Sequence, residues 1–291
     1  NLAFKRPKPE NLHIYEVLLR DFVAGKRYRA LADSLSYFKN LGINALELMP
    51  VMEFSANDSW GYNPNFLLAP DKFYGEKNDL KYLIDQCHGQ GIAVILDIVL
   101  NQADAQNPYV RMYWDGSKPS NSPFFNSVAT HPYSVFYDFN HESPHTQWLV
   151  DTVCRYWLNE FHVDGYRFDL SKGFTQVNSG NNVDLWGKYD GSRIKLLKRI
   201  NDQIRKVDPT AYVILEHFAV ANEEQELAQS GMLLWSNAKF DMARSVQGFA
   251  QDLGGMSYQQ RGFEQPSLIT YIESHDEERI LVELGANAAK T

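Results

Sequence analysis

From residue 13 to residue 276 the chain alternates short β-forming runs with amphipathic stretches of helical length, and this alternation limits the fold more than any other property of the sequence. "HIYEVLLRDF" (13–22) reads as a strand, and "YRALADSLSYFKNLG" (28–42) as a helix stopped by glycine. "NALELMPV" (44–51) is the next strand, and 78–91 a helix capped by Asn78 and closed by glycine. "IAVILDIVL" (92–100) is almost wholly β-branched or leucine, the pattern of a strand buried on both faces. A long loop over 101–142 follows, then a helix over 143–161 with Ser143 as cap and proline in its first turn. "VDGYRFDL" (163–170), "AYVILEHF" (211–218), "LLWSNAKF" (233–240) and "SLITYIESHD" (267–276) read as further strands, with helices over 192–207, 221–230 and 241–253 between them. Strands joined by helical crossovers run parallel. Seven are counted, whereas a closed parallel barrel needs eight. An open doubly wound sheet is the alternative, but no glycine fingerprint follows the first strand.

Composition narrows the function classes. The chain has 291 residues, 44% hydrophobic and 22% charged, with a net charge of −8, which suits one large α/β barrel or two smaller domains. No Lys/Arg cluster is present, so no nucleic-acid partner is expected. "GIAVILDIVL" is interrupted by Asp97, so no membrane span is expected, and no signal-peptide pattern opens the chain. Cys87 and Cys154 both lie in amphipathic stretches and read as buried free thiols. The loop over 101–142 exceeds the usual connection length, and its aromatic residues (Tyr109, Tyr113, Trp114, Phe124, Phe125) favour a small packed subdomain inserted after the third strand.

Chemistry enters with "GYRFDLSKG" (165–173), where Arg167 and Asp169 share one face of an apolar strand. Alone, such a pair reads as a structural salt bridge. Acidic residues recur, however, near the C-terminal ends of other strands: Asp97, Glu216, and Asp276 beside His275. That face is where barrel enzymes build their sites. Carboxylates converging beside one arginine suit glycosidic chemistry, with one as nucleophile, one as acid/base and one holding sugar hydroxyls.

On these residues the chain resembles the α-amylase family of glycoside hydrolases and transferases (family 13). The family's four short regions are matched in order by "DIVLNQ" (97–102), "GYRFDLSK" (165–172), "ILEHF" (214–218) and "IESHDE" (272–277). "LELMPVMEF" and "SWGYNPNFLLAPDKFYG" are most similar to its branching-enzyme and glucanase side. The resemblance implies a TIM (β/α)8-type barrel over 1–291, truncated before or at its eighth strand, with 101–142 as the inserted subdomain. It implies Asp169 as nucleophile, Glu216 as general acid/base and Asp276 as the carboxylate that holds the distorted sugar. Arg167 would keep Asp169 ionised, His275 would bind the same sugar, and Tyr62 would stack beneath it. Asp97 and Asn101 match the structural positions of the first region.

Gln102 departs from the pattern, for the family places histidine there as a donor to the sugar. Its amide can still donate a hydrogen bond but carries no charge. Among the other aromatic residues Trp60 is the second candidate for stacking. His13, His88, His141, His145 and His162 show no metal-ligand spacing. No cofactor is required by the implied chemistry. Family members also hold a structural calcium ion, whose ligand positions Asn101 and Asp138 match, although the loop shows few carboxylates for it. The substrate expected is an α-glucan oligo- or polysaccharide, hydrolysed at α-1,4 bonds with retention. A 1,4-α-glucan branching transferase shares every one of these residues, and Gln102 leaves room for a catalytically impaired glucan-binding barrel.

Overall fold

The computed structural model describes residues 3–283. Seven strands form one sheet: β1 (Ile14–Val17), β2 (Ala45–Leu48), β3 (Ala93–Ile98), β4 (Gly165–Phe168), β5 (Tyr212–Leu215), β6 (Leu233–Asn237) and β7 (Leu268–Tyr271). Every pairing is parallel, and the strands lie side by side in chain order. A doubly wound sheet reverses its strand order partway. This one never does, so it keeps curling in one direction, as a barrel wall does. The stretch in which an eighth strand was sought falls largely on residues 284–291, which lie outside the described residues.

Two apolar clusters divide the sheet's faces. Leu46, Leu48, Val94, Leu96, Tyr166 and Phe168 belong to the cluster that includes the helices. Ala45, Ala93, Ile95, Tyr212, Ile214 and Trp235 pack together on the other face, the barrel interior. Alternate residues of a strand share a face, so this packing assigns the inward residues of each strand. The inward columns run Ile14–Glu16, Ala45–Glu47, Ile95–Asp97, Arg167–Asp169 and Ile214–Glu216, with charge gathered toward the C-terminal end.

Between β4 and β5 the backbones approach so closely that side chains are excluded. A Cβ at Gly165 would lie 2.3 Å from the carbonyl oxygen of Tyr212 and 2.5 Å from its nitrogen. Neither strand can yield without breaking its ladder, so Gly165→Ala should lower unfolding free energy by about 3 kcal/mol or more. Denaturant unfolding of the two proteins checks this.

Several boundaries differ from the sequence reading. The first strand stops at Val17, and Leu19–Phe22 turns helical. The helix expected over 28–42 is broken into Tyr28–Ala32 and Leu35–Asn40. The next helix begins at Lys77, capped at Glu76, whose N–H donates to Asp79 Oδ2 at 3.1 Å, and not at Asn78. The helix expected over 241–253 spans Lys239–Val246, with Gly248 at φ +90° just beyond its end. An antiparallel hairpin, Met52–Phe54 with Pro64–Pro70, was not foreseen. The loop after β3 closes through a short antiparallel ladder, Gln102–Ala103 with Tyr137–Asp138. Its Val110, Phe124, Phe125 and Phe139 join the main core cluster. Cys87 and Cys154 are buried free thiols. Among the described residues no helix is long and apolar enough to cross a membrane.

Candidate active site

Arg167 is the centre of the charged layer. It is fully buried, and Nη1 donates to Asp97 Oδ1 at 2.9 Å and to Asp169 Oδ1 at 3.2 Å. Nη2 lies 3.1 Å from Glu216 Oε2. The guanidinium stands over the Trp235 ring, 4.1 Å from its centroid, so the barrel's apolar interior supports it from below. Trp235 is therefore part of the core.

Asp169 and Glu216 each keep a little exposure at the mouth. Glu216 Oε2 also accepts the Leu170 backbone N–H at 2.7 Å. Leu170 holds φ 42°, ψ 47°, a left-handed conformation that costs an L-residue roughly 1–2 kcal/mol. That strain turns its N–H toward Glu216 directly after the predicted nucleophile.

The expectation that Arg167 keeps Asp169 ionised is not met. Burial, and then the charge of Glu216, push Asp169 up to about 8 against the pull of Arg167. Burial is the larger cause, and a shortage of positive charge adds to it. One guanidinium serves Asp97, Asp169 and Glu216 together, and none of them receives a full counter-charge. Burial likewise raises Asp97, with Arg167 and Tyr62 opposing.

Tyr62 donates to Asp97 Oδ2 at 2.5 Å, and its ring stacks near-parallel on His275, centroids 5.0 Å apart. Trp60 meets the same imidazole edge-on at 5.6 Å and is exposed. His275 Nδ1 lies 2.8 Å from Glu16 Oε1, and its backbone N–H donates to Glu16 Oε2. Burial disfavours charge on the ring, but the Glu16 bond outweighs it and raises the pKa. Asp276 Oδ1 sits 3.4 Å from His275 Nε2, with half of its side chain open to solvent.

The structure thus gathers Tyr62, Asp97, Arg167, Asp169, Glu216, His275, Asp276 and Trp60 at one end of the barrel. Gln102 does not face that opening. It is buried, its Nε2 donates to the Tyr62 carbonyl at 3.0 Å, and its Oε1 accepts from Asn101 at 2.8 Å. This placement makes it a brace for the Tyr62 backbone. Asn101 donates to that brace, and Asp138 pairs with Gln102 across the short ladder.

Sequence reasoning passed over Glu16 and Glu47. Glu16 and Glu47 are direct partners across β1 and β2. Glu47 is buried with Oε1 unpartnered among the described residues, and burial, then the charge of Asp97, raise its pKa well above the ordinary carboxylate value. Their signal was inward alternation with Ile14 and Ala45, which becomes readable only when the barrel face of each strand is known.

Seven parallel strands in chain order with a carboxylate-rich C-terminal face define a singly wound α/β barrel with its site at the strand ends. The chain belongs to the α-amylase family. The model of the alpha amylase catalytic domain matches residues 27–134. The chain is 33% identical over 228 residues to the 1,4-alpha-glucan branching enzyme GlgB of Pseudoalteromonas atlantica, covering 70% of this chain and 30% of that protein. It is 31% identical over 189 residues to the malto-oligosyltrehalose trehalohydrolase of Saccharolobus solfataricus, covering 63% and 32%. It spans about a third of the length of the curated relatives it matches. Among solved structures, a putative alpha amylase from Salmonella typhimurium superposes with a TM-score of 0.61 at 27% identity, covering 75% of this chain and 34% of that one. Eubacterium rectale Amy13B gives 0.72 at 21% identity, covering 92% and 59%, a likeness of fold.

Proposed function

We propose that this barrel is the catalytic part of a retaining glycoside hydrolase that cleaves α-1,4-glucans by double displacement. Asp169 attacks the anomeric carbon while Glu216 protonates the departing oxygen. Glu216 then takes a proton from the water that resolves the glycosyl-enzyme. Tyr62 stacks against the sugar at the cleavage point, and His275 and Asp276 hold its hydroxyls. The observation that carries the reading is Arg167, one buried cation within 3.2 Å of both carboxylates the mechanism needs. The displacement itself draws on these two carboxylates and on no metal.

Soluble starch tests the proposal. New reducing ends, with the α-anomer released first in proton NMR, are the expected result, and first release of the β-anomer would sink the retaining mechanism. A branching transferase is the second reading, favoured by the branching enzymes among the relatives. It would shift the iodine spectrum without new reducing ends. No change at all would leave only glucan binding.

The raised pKa of Asp169 should also set the pH profile. Burial, and then the charge of Glu216, push it up to about 8, and only the ionised carboxylate can attack. kcat/KM should therefore rise with pH on a limb near 8. A profile already flat from pH 6 to pH 9 would contradict this.

A further inference from the structure

Asp169 and Glu216 each lead into a turn that contains a left-handed L-residue. Leu170 (φ 42°) follows the first, and Phe218 (φ 48°) comes two residues after the second. Such conformations persist where the surroundings over-determine them. Here the two turns hold each other. The Ser171 N–H donates to the Glu216 carbonyl at 2.9 Å, and Lys172 Nζ donates to the Phe218 carbonyl at 2.8 Å. His217 completes the link out of reach of solvent. Its Nδ1 lies 2.9 Å from Ser171 Oγ, and its Nε2 lies 2.8 Å from Glu223 Oε1. Glu223 takes Arg193 in a two-armed buried pair, Nε to Oε1 at 2.6 Å and Nη2 to Oε2 at 2.8 Å. Arg193 Nη1 reaches back to the Lys172 carbonyl at 3.3 Å. Ser171, His217, Glu223, Arg193 and Lys172 thus close a ring, with the helices Gly191–Val207 and Ala221–Ala228 as its outer wall.

The protons in this ring follow from the partners. A carboxylate only accepts, so Nε2 of His217 carries the imidazole proton. Burial keeps the ring neutral, outweighing the pull of Glu223, so Nδ1 is bare and accepts the Ser171 hydroxyl. A buried histidine bonded at both nitrogens commonly does no more than satisfy a core. This one differs in where its contact leads. Ser171 adjoins Leu170, whose N–H donates to Glu216 Oε2 at 2.7 Å, and Arg167 Nη2 lies 3.1 Å from the same oxygen. With two donors on Oε2, the proton of the acid belongs on Oε1. Any movement of the turn takes the Leu170 N–H off Oε2 and frees the carboxyl group to turn.

We infer that His217 is a positioning residue: by joining Ser171 to Glu223 it holds the turn after Asp169 where the Leu170 N–H fixes which oxygen of Glu216 presents the proton to the leaving group. This rests on Glu216 being the general acid of the proposed reaction. His217 itself touches neither the sugar nor the reacting atoms. Its effect is confined to proton delivery, so it should matter only where the leaving group needs a proton.

The test compares two rates in three variants of the chain: turnover of starch, and single-turnover release of fluoride from α-maltotriosyl fluoride, whose leaving group needs no proton. His217→Phe fills the space and breaks both contacts, Ser171→Ala removes only the hydroxyl, and His217→Asn keeps an acceptor for Ser171. His217→Phe and Ser171→Ala should lower kcat on starch about tenfold or more with KM changed by less than about twofold. Fluoride release should stay within about twofold of the parent, and His217→Asn should recover most of kcat on starch. Should His217→Phe fail to fold, judged by circular dichroism, Ser171→Ala decides by the same two rates. The inference alone is overturned if the parent is active and the variants match it on starch, or if both rates fall together, as a packing defect would make them. A parent that acts on neither substrate overturns the reading of Glu216 and this inference with it.

Discussion

Asp169→Asn should lower turnover of starch by about 10⁴-fold or more, because no other group can form the glycosyl-enzyme. It should not unfold the protein. Asp169 is buried beside Glu216 and Asp97, and its folded form binds a proton more tightly than its unfolded form does. An ionised Asp169 therefore opposes folding. The favourable state is the protonated one, and it is lost as pH rises from the ordinary carboxylate value to about 8. Asparagine is neutral throughout, so the variant's Tm at pH 8 should equal or exceed that of the parent. Glu216→Gln separates the two roles. It should slow starch turnover by about 10²–10⁴-fold, yet spare the first step for glycosides whose leaving group needs no proton. If Asp169→Asn also turned over such activated substrates at the parental rate, Asp169 would not be the nucleophile. Rates on starch and on an activated glycoside, with Tm at two pH values, decide the matter.

Arg167→Met should be the most destabilising single change in the site. Methionine approximates the stem, but it leaves Asp97, Asp169 and Glu216 without their common cation. Breaking a buried ion pair on one side costs roughly 3–5 kcal/mol, and here three carboxylates lose it together. The pH dependence has a definite sign. Without Arg167, Asp97 and Asp169 rise further, so the variant should be least stable at alkaline pH and recover as acidification protonates them. Arg167→Lys should recover only part of the loss, since a single ammonium cannot span the fork that reaches Asp97 on one arm and Glu216 on the other. Thermal unfolding from pH 5 to 9 measures the trend. A variant more stable at pH 9 than at pH 5 would refute it.

The parts of this molecule that could be read from sequence were those in which one physical requirement dictates residue type. "IAVILDIVL" had to be a strand covered on both faces, and β3 lies there, buried throughout. The inward alternation of Arg167 and Asp169 was legible because few strands carry two opposite charges at that spacing. The Met52–Phe54 hairpin was not, because its partner strand begins and ends in proline and shows no alternation. Glu16 and Glu47 were hidden for a different reason. In a strand of four residues, an inward glutamate and an exposed one look alike. The pKa of Asp169 was misjudged because sequence names Arg167 as its neighbour but reveals neither how deeply the carboxylate is buried nor that two other carboxylates share the cation.

The order of strands in the sheet has a consequence for how the chain is made. Each strand pairs with the one synthesised just before it, so a growing chain can extend the wall as it leaves the ribosome, with no strand held back to await a distant partner. The exception in degree is the step from Ile95 to Gly165, which must close over the whole long loop before β4 can dock. Loop closure weighs more heavily as the intervening chain lengthens. That junction is accordingly where vectorial assembly should pause, and the loop's own aromatic packing, by drawing its two ends together beforehand, shortens the wait.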